Sequence, residues 1–145
     1  MANVPGSSET APLNRQLVRK RGLDYCRKWL SCLGWNITAV ARSARADFIA
    51  RSGDASRSVE IKVRTLSKRN AVGLGLSLDK VMGDFWVIVN NVATPDPSFF
   101  VLLPQEVKEL ASRDEGGKRQ YWLEQRDYEQ EQFREAWERI GRGDA

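Results

Sequence analysis

Asp47, Glu60 and Lys62 are the residues whose types and spacing could do chemistry in this chain. They lie in ADFIARSGDASRSVEIKVRT, residues 46–65, which reads as two strands, Ala46–Arg51 and Ser58–Arg64, joined by a turn at Gly53-Asp54. A two-residue turn there pairs Ser52 with Ala55. Counted outward, Phe48 faces Val59, Ala46 faces Ile61, Asp47 faces Glu60 and Arg45 faces Lys62. This register puts Ala46, Phe48, Val59, Ile61 and Val63 on one apolar face and the charges on the other. Opposed Cβ atoms lie about 4.5–5.5 Å apart, so two carboxylates placed so repel unless something holds them. A divalent cation, Mg²⁺ or Mn²⁺, between Asp47 and Glu60 is such a reason, with the Ile61 carbonyl as a further ligand. Lys62, two residues past Glu60 on the same face, would orient a water and stabilise developing charge. Arg45 and Arg64 would bind flanking phosphates. The same triplet at Glu106 and Lys108 follows Pro104 at a helix start, where residues two apart diverge. An exposed charged strand face with a rim salt bridge accounts for the same residues without chemistry.

Composition narrows the chemistry further. The 145 residues contain no histidine, which removes Ser-His-Asp and Cys-His catalysis and leaves carboxylates, lysine and a hard metal ion. Cys26 and Cys32 lie six residues apart in one apparent helix, about 9 Å along its axis, too far for a disulfide. They are expected to be reduced core residues of a cytoplasmic protein. No apolar run approaches a membrane span, and residues 1–12 lack the blocks of a signal peptide. Residues 1–69 carry 14 of the 23 basic and 5 of the 19 acidic residues, so the first half of the chain is strongly cationic. That polarity suits a phosphate-rich partner.

The elements that must position these residues follow from periodicity. Residues 1–13 read as a disordered tail and 14–145 as a single domain. A helix runs over Asn14–Leu33, with Asn14 as N-cap, Gly22 as an interruption and Gly34 as the stop. Strands follow at Trp35–Ala41, Ala46–Arg51 and Ser58–Arg64. A Gly-Ser loop containing Gly73-Leu-Gly75 leads to a short helix near Leu78–Met82. Phe85–Asn90 is a buried strand, Phe99–Leu103 another, and Gln105–Ser112 a helix opened by Pro104. Gly116-Gly117 breaks the chain before a last helix, Tyr121–Ile140, with Phe133, Ala136, Trp137 and Ile140 inward. The order, α-β-β-β-(α)-β-β-α-α, implies a mixed sheet flanked by helices. Trp29, Trp86 and Trp137 are expected in the core, Trp35 and Trp122 nearer the surface. Lys68 and Arg69 could grip a nucleic acid backbone, and Arg142-Gly-Asp144 reads as a chance tripeptide.

The pattern resembles the PD-(D/E)XK nuclease superfamily, whose members carry an acidic residue on the second core strand and Glu-x-Lys on the third. Asp47, Glu60 and Lys62 match, with twelve residues between the two acids. GLDYCRKWLSCLGWNI, residues 22–37, is similar to that family's first helix and its Gly-aromatic exit. FWVIVNN and FFVLLPQEVKEL are similar to its later strand–loop–strand–helix. The likeness covers residues 14–112. Ala46 stands where the motif's name has proline, and Asp24 where the first helix more often carries glutamate. The resemblance implies the restriction-endonuclease-like fold, with about five central strands. It also implies a Mg²⁺- or Mn²⁺-dependent endonuclease cutting DNA, structured or mobile-element DNA included, with DNA favoured over RNA and the choice between them left open. In that reading Asp24 reaches the metal through water, and two copies pair to cut both strands. Two other readings stay open: a catalytically inactive nucleic-acid-binding module on the same fold, and a protein-interaction domain.

Overall fold

The computed structural model describes residues 14–114, 116 and 119–144, so the expected tail at 1–13 lies outside the described residues. Helix α1, Arg15–Cys32, starts where the Asn14 side chain accepts the Leu17 N–H at 2.8 Å. Its four-residue stripe of Val18, Gly22, Cys26 and Leu30 is buried. It ends at Leu33-Gly34, where Gly34 adopts φ +89 and its N–H bonds the Ser31 carbonyl. Gly22 does not interrupt the helix. It is the point of closest approach to the sheet: a Cβ there would overlap Thr65 Cγ2 and lie 2.9 Å from Thr65 Cβ.

The strands are β1 Asn36–Ala39, β2 Phe48–Arg51, β3 Ser58–Thr65, β4 Val72–Gly75, β5 Phe85–Asn90 and β6 Ser98–Leu102. Helix α2, Pro104–Leu110, precedes β7 Ser112–Arg113 and β8 Tyr121–Leu123. Then come the four-residue helix α3, Gln125–Tyr128, and a 3₁₀ turn, Trp137–Arg139. Five strands form the central sheet in the order β1-β2-β3-β5-β6, with β3 and β5 parallel and the other neighbours antiparallel. Strands β4, β8 and β7 form a second, smaller sheet. The mixed five-stranded sheet flanked by helices is the architecture the sequence implies.

Strand β5 reads FWVIVN because both its faces are covered. Val87 and Val89 join the core beneath α1, with Phe48, Ala50, Ile61, Val63, Phe99 and Val101. Trp86 and Ile88 join a second core with Val72, Leu74, Val81, Phe100, Leu102, Val107 and Leu123. None of the buried members of that second core comes from β1, β2 or β3. The small sheet therefore covers one end of the central sheet and leaves the outer face of β3 bordering a cleft.

Three expected elements differ. Gly73-Leu-Gly75 lies in β4, paired with β8, and is not a loop. Residues 78–82 are turn and coil, not helix. The helix expected over 121–140 does not form. The free edge of β6 takes up its backbone instead: Val101 N–H bonds the Phe133 carbonyl at 2.9 Å, and Glu135 N–H bonds the Phe99 carbonyl at 2.8 Å. Helical spacing of Phe133, Ala136, Trp137 and Ile140 still buries all four, because tertiary pairing overrides a weak propensity. The Gly116-Gly117 break falls between β7 and β8, with Gly117 outside the described residues.

Two tryptophans and one cysteine exchange their expected places. Trp29 is 39% exposed, stacked on Trp137 with ring centroids 5.5 Å apart. Trp35 is 3% exposed, and its Nε1 donates to the Gly141 carbonyl at 2.9 Å. Cys26 is buried, but Cys32 is exposed; both are free thiols. The Arg142-Gly-Asp144 tripeptide is structural: Gly143 is buried, donates to the Leu33 carbonyl and accepts from Gly53 N–H. Among the described residues no helix is long and apolar enough to cross a membrane.

Candidate functional site

The β2–β3 register decides which charged side chains meet. Phe48 pairs with Ile61, Ile49 with Glu60, Ala50 with Val59 and Arg51 with Ser58. This is two residues away from the expected pairing, so Asp47 does not oppose Glu60; it lies level with Lys62. The cause is local. The Ser52–Ala55 turn does form, with Ala55 N–H on the Ser52 carbonyl at 2.9 Å. The loop nevertheless runs on to Arg57, because the Asp54 carboxylate gathers Ser56 N–H, Ser56 Oγ and Ser52 Oγ at 2.7–3.0 Å. Those donors, Ser56 foremost, hold the Asp54 carboxyl down at about 2. A two-residue shift preserves the alternation, so the apolar and charged faces remain as expected.

Asp47, 4% exposed, sits just before β2 where it can cap its neighbour strand. Its Oδ2 accepts Val63 N–H at 2.7 Å and lies 3.8 Å from Lys62 Nζ. Its Oδ1 accepts from Arg19 Nη2, on α1, at 2.8 Å. Asp47 N–H bonds the Ile61 carbonyl at 2.8 Å, the group expected to face a metal. Lys62 also donates to the Ser43 carbonyl at 3.3 Å. Burial pulls the Lys62 ammonium below its ordinary value; Asp47 opposes this, and Arg64 and Arg19 add to it.

Glu60 turns to Arg45. Arg45 Nε reaches both Glu60 oxygens at 3.0 and 2.9 Å, and Nη2 reaches Oε1 at 2.7 Å. This pairing holds the Glu60 carboxyl below the usual range. The segment entering β5 fixes the pair from behind. Asp84 Oδ2 accepts Glu60 N–H at 2.7 Å, and Asp84 N–H bonds the Glu60 carbonyl at 2.9 Å. Gly83, at φ +95, packs so close that a Cβ would lie 2.5 Å from the Arg45 carbonyl.

Asp24 is exposed and pairs with Lys20 at 3.1 Å; it lines a 530 Å³ cleft that Asp47 also lines, and that Glu60 does not. Among the described residues no three Asp, Glu, Cys or His side chains gather around one point. Both oxygens of Asp47 and both of Glu60 are already engaged. As placed, these residues do not make a donor set for Mg²⁺ or Mn²⁺.

Of the expected phosphate-binding residues, Arg45 is held by Glu60, and Arg69 pairs with Glu129 at 2.6 Å. Lys68 is exposed. Arg64 lies over the Trp86 ring, 5.9 Å from its centroid, with its guanidinium held below the ordinary value chiefly by burial. Arg19 and Asp84 join the site without having been expected there. Arg19 carried a faint signal: Arg15 and Arg19 step by four residues alongside the buried stripe of α1. Asp84 carried none beyond a Gly-Asp turn before a strand.

Hjc, a Holliday junction resolvase from the archaeal hyperthermophile Archaeoglobus fulgidus, has a similar solved structure. The TM-score is 0.52 at 14% identity, over 75% of this chain and 85% of that one. The chain has the restriction-endonuclease-like fold. The resemblance to the PD-(D/E)XK superfamily thus holds at the level of the fold, with Asp47 beside its second strand and Glu60 and Lys62 on its third. No protein-family model and no curated protein matches the sequence.

Proposed function

We propose that this protein is a nuclease that binds the DNA backbone against Arg19, Lys62 and Arg64 and hydrolyses a phosphodiester bond beside Lys62. The observation that carries this reading is the Asp47–Lys62–Arg19 cluster. It is a buried carboxylate holding an ammonium and a guanidinium at the mouth of cation-lined clefts, on a fold shared with a DNA junction resolvase. Lys62, only 19% exposed, is partly desolvated, so its charge acts strongly on a phosphoryl oxygen beside it. Asp47 positions both cations and does not itself need to touch the substrate. A 640 Å³ groove lined by Arg15, Arg19, Arg64, Ser67, Asn70 and Gln120 offers the adjoining backbone a polar, basic path.

The Mg²⁺ or Mn²⁺ dependence implied by the resemblance would require Arg45 to release Glu60. The Arg45–Glu60 pair is largely solvent-exposed, and such pairs are held weakly. Cutting both strands of a duplex would need two such centres, which a two-fold pair of copies supplies.

The test is cleavage of branched, duplex and single-stranded DNA, and of RNA, with and without Mg²⁺ or Mn²⁺. The expected result is cutting of DNA that falls by about 10²–10³-fold in Lys62→Ala, the loss typical of a removed charge-stabilising group. A specific observation favours a second reading, a non-catalytic DNA-binding module: both motif carboxylates are neutralised by arginines. Salt-dependent DNA binding with no cleavage under any of these conditions would establish it in place of the first.

A further inference from the structure

A third cleft, of 240 Å³, adjoins the Asp47 cluster and adds Lys80, a cation given no role so far. Its lining includes Arg19, Lys62, Arg64 and Lys80, over a floor of Leu74, Val81 and Trp86. The floor residues are 8%, 2% and 2% exposed, so the cleft is blind on that side. Lys80 comes from the loop between β4 and β5, a different part of the fold from the other three cations. Among the described residues no carboxylate lines this cleft. The charge nearest to balancing it is Asp47, which already serves Arg19 and Lys62.

Among the described residues two of the four cations have no hydrogen-bond acceptor and no ion-pair partner. Among the described residues Arg64 makes no hydrogen bond and no ion pair; its contact is the Trp86 ring. Lys80 likewise has neither. A partly buried guanidinium with five N–H donors and no acceptor is costly to hold, and the usual remedy is an oxyanion that accepts in pairs. Lys62 and Arg19 next to it make the deficit of negative charge larger. Four cations set against one carboxylate leave more positive charge than a single backbone phosphodiester, with one negative charge, can balance. A terminal phosphomonoester carries about 1.5–2 negative charges at neutral pH and three acceptor oxygens. A continuous backbone lies across the mouth of the cleft, whereas a terminal phosphate can enter it as far as Lys80.

We infer that the Arg64–Lys62–Lys80 cleft is a pocket for a terminal phosphate, so that the protein binds phosphorylated DNA ends or nicks in preference to hydroxyl ends. The inference rests on the DNA reading above for its physiological ligand, but the pocket itself can be tested apart from DNA. Fluorescence anisotropy in EDTA compares duplexes identical except for a phosphate or a hydroxyl at the 5′ or the 3′ terminus. One phosphorylated end is expected to bind about tenfold tighter or more, the worth of one or two charge-assisted hydrogen bonds. Lys80→Ala, in an exposed loop, should erase that preference while leaving the affinity for hydroxyl ends unchanged. Arg64→Lys, which keeps the charge but loses the paired donors, should reduce it. Equal affinity for both kinds of end, or a preference that survives both variants, overturns the pocket. Calorimetry with inorganic pyrophosphate separates the two readings. Pyrophosphate binding weakened by Lys80→Ala in a protein that ignores DNA keeps the pocket and rejects the nuclease. DNA cleavage by a protein that binds no pyrophosphate and ignores end phosphorylation keeps the nuclease and rejects the pocket.

Discussion

Gly22→Ala would place a methyl group where α1 meets β3. The added carbon would overlap Thr65 Cγ2 and stand 2.9 Å from Thr65 Cβ, an atom that no rotamer change can move. Thr65 ends the central strand of the sheet, so the strand cannot give way cheaply, and the helix must shift. Overpacking of this kind costs about 2–3 kcal/mol. Alanine recovers about 1 kcal/mol over glycine inside a helix. The net expectation is a loss of about 1–2 kcal/mol, or a Tm lower by about 3–8 °C for a domain of this size. Thermal and urea unfolding followed by tryptophan fluorescence reads both quantities. The control is Gly22→Ala combined with Thr65→Ser, which deletes the overlapped Cγ2. This pair should be more stable than Gly22→Ala alone by about 1 kcal/mol or more once the effect of Thr65→Ser alone is subtracted. Arg19 lies one turn before Gly22, so the single variant should also weaken DNA binding through a displaced Arg19–Asp47 pair. A Gly22→Ala protein as stable as the wild type, or more so, refutes the packing argument and returns Gly22 to a mere helix interruption.

Asp47→Ala leaves the Val63 N–H, Arg19 and Lys62 without their acceptor, and should lower unfolding free energy by about 2–4 kcal/mol in urea titrations at pH 7. The Glu60 carboxyl is held low by Arg45, so its share of stability is present above the ordinary value of 4.5 and is lost as pH falls through the folded value. Carbon-detected NMR should find Glu60 titrating at a higher pH in Arg45→Ala than in the wild type; an unchanged midpoint would remove Arg45 as the cause. Burial pushes the Cys26 thiol far up, so the unfolded chain sheds that proton first and stability should fall as pH rises above about 9.0. Cys26→Ala should lack that alkaline loss. A thiol reagent added to the native protein should modify Cys32 within minutes and Cys26 only after unfolding; equal rates would contradict their burial.

Much of the fold was legible because it rests on local rules. Asn14 caps α1, Gly34 stops it, FWVIVN spans a strand buried on both sides, and Pro104 opens α2. The segment 121–140 was not legible. Its apolar residues keep helical spacing, yet its backbone is bonded to the edge of β6, a partner some thirty residues away that no local pattern announces. Gly73 and Gly75 mislead for a similar reason: residues that usually mark loops lie here in a strand held by β8.

The candidate site divides along the same line. Residue types and two-residue alternation alone determined that Asp47, Glu60, Lys62 and Arg64 share the polar face of a β2–β3 pair, and any even shift of register keeps that. Tertiary structure decided the partners. The Asp54 side chain lengthens the loop and moves Asp47 level with Lys62, α1 brings Arg19 to the same carboxylate, and the turn before β5 pins Glu60 beside Arg45. The physical reason is that alternation is a property of one strand's backbone. Which charges neutralise one another depends on distances of a few ångströms between segments, and packing alone sets those.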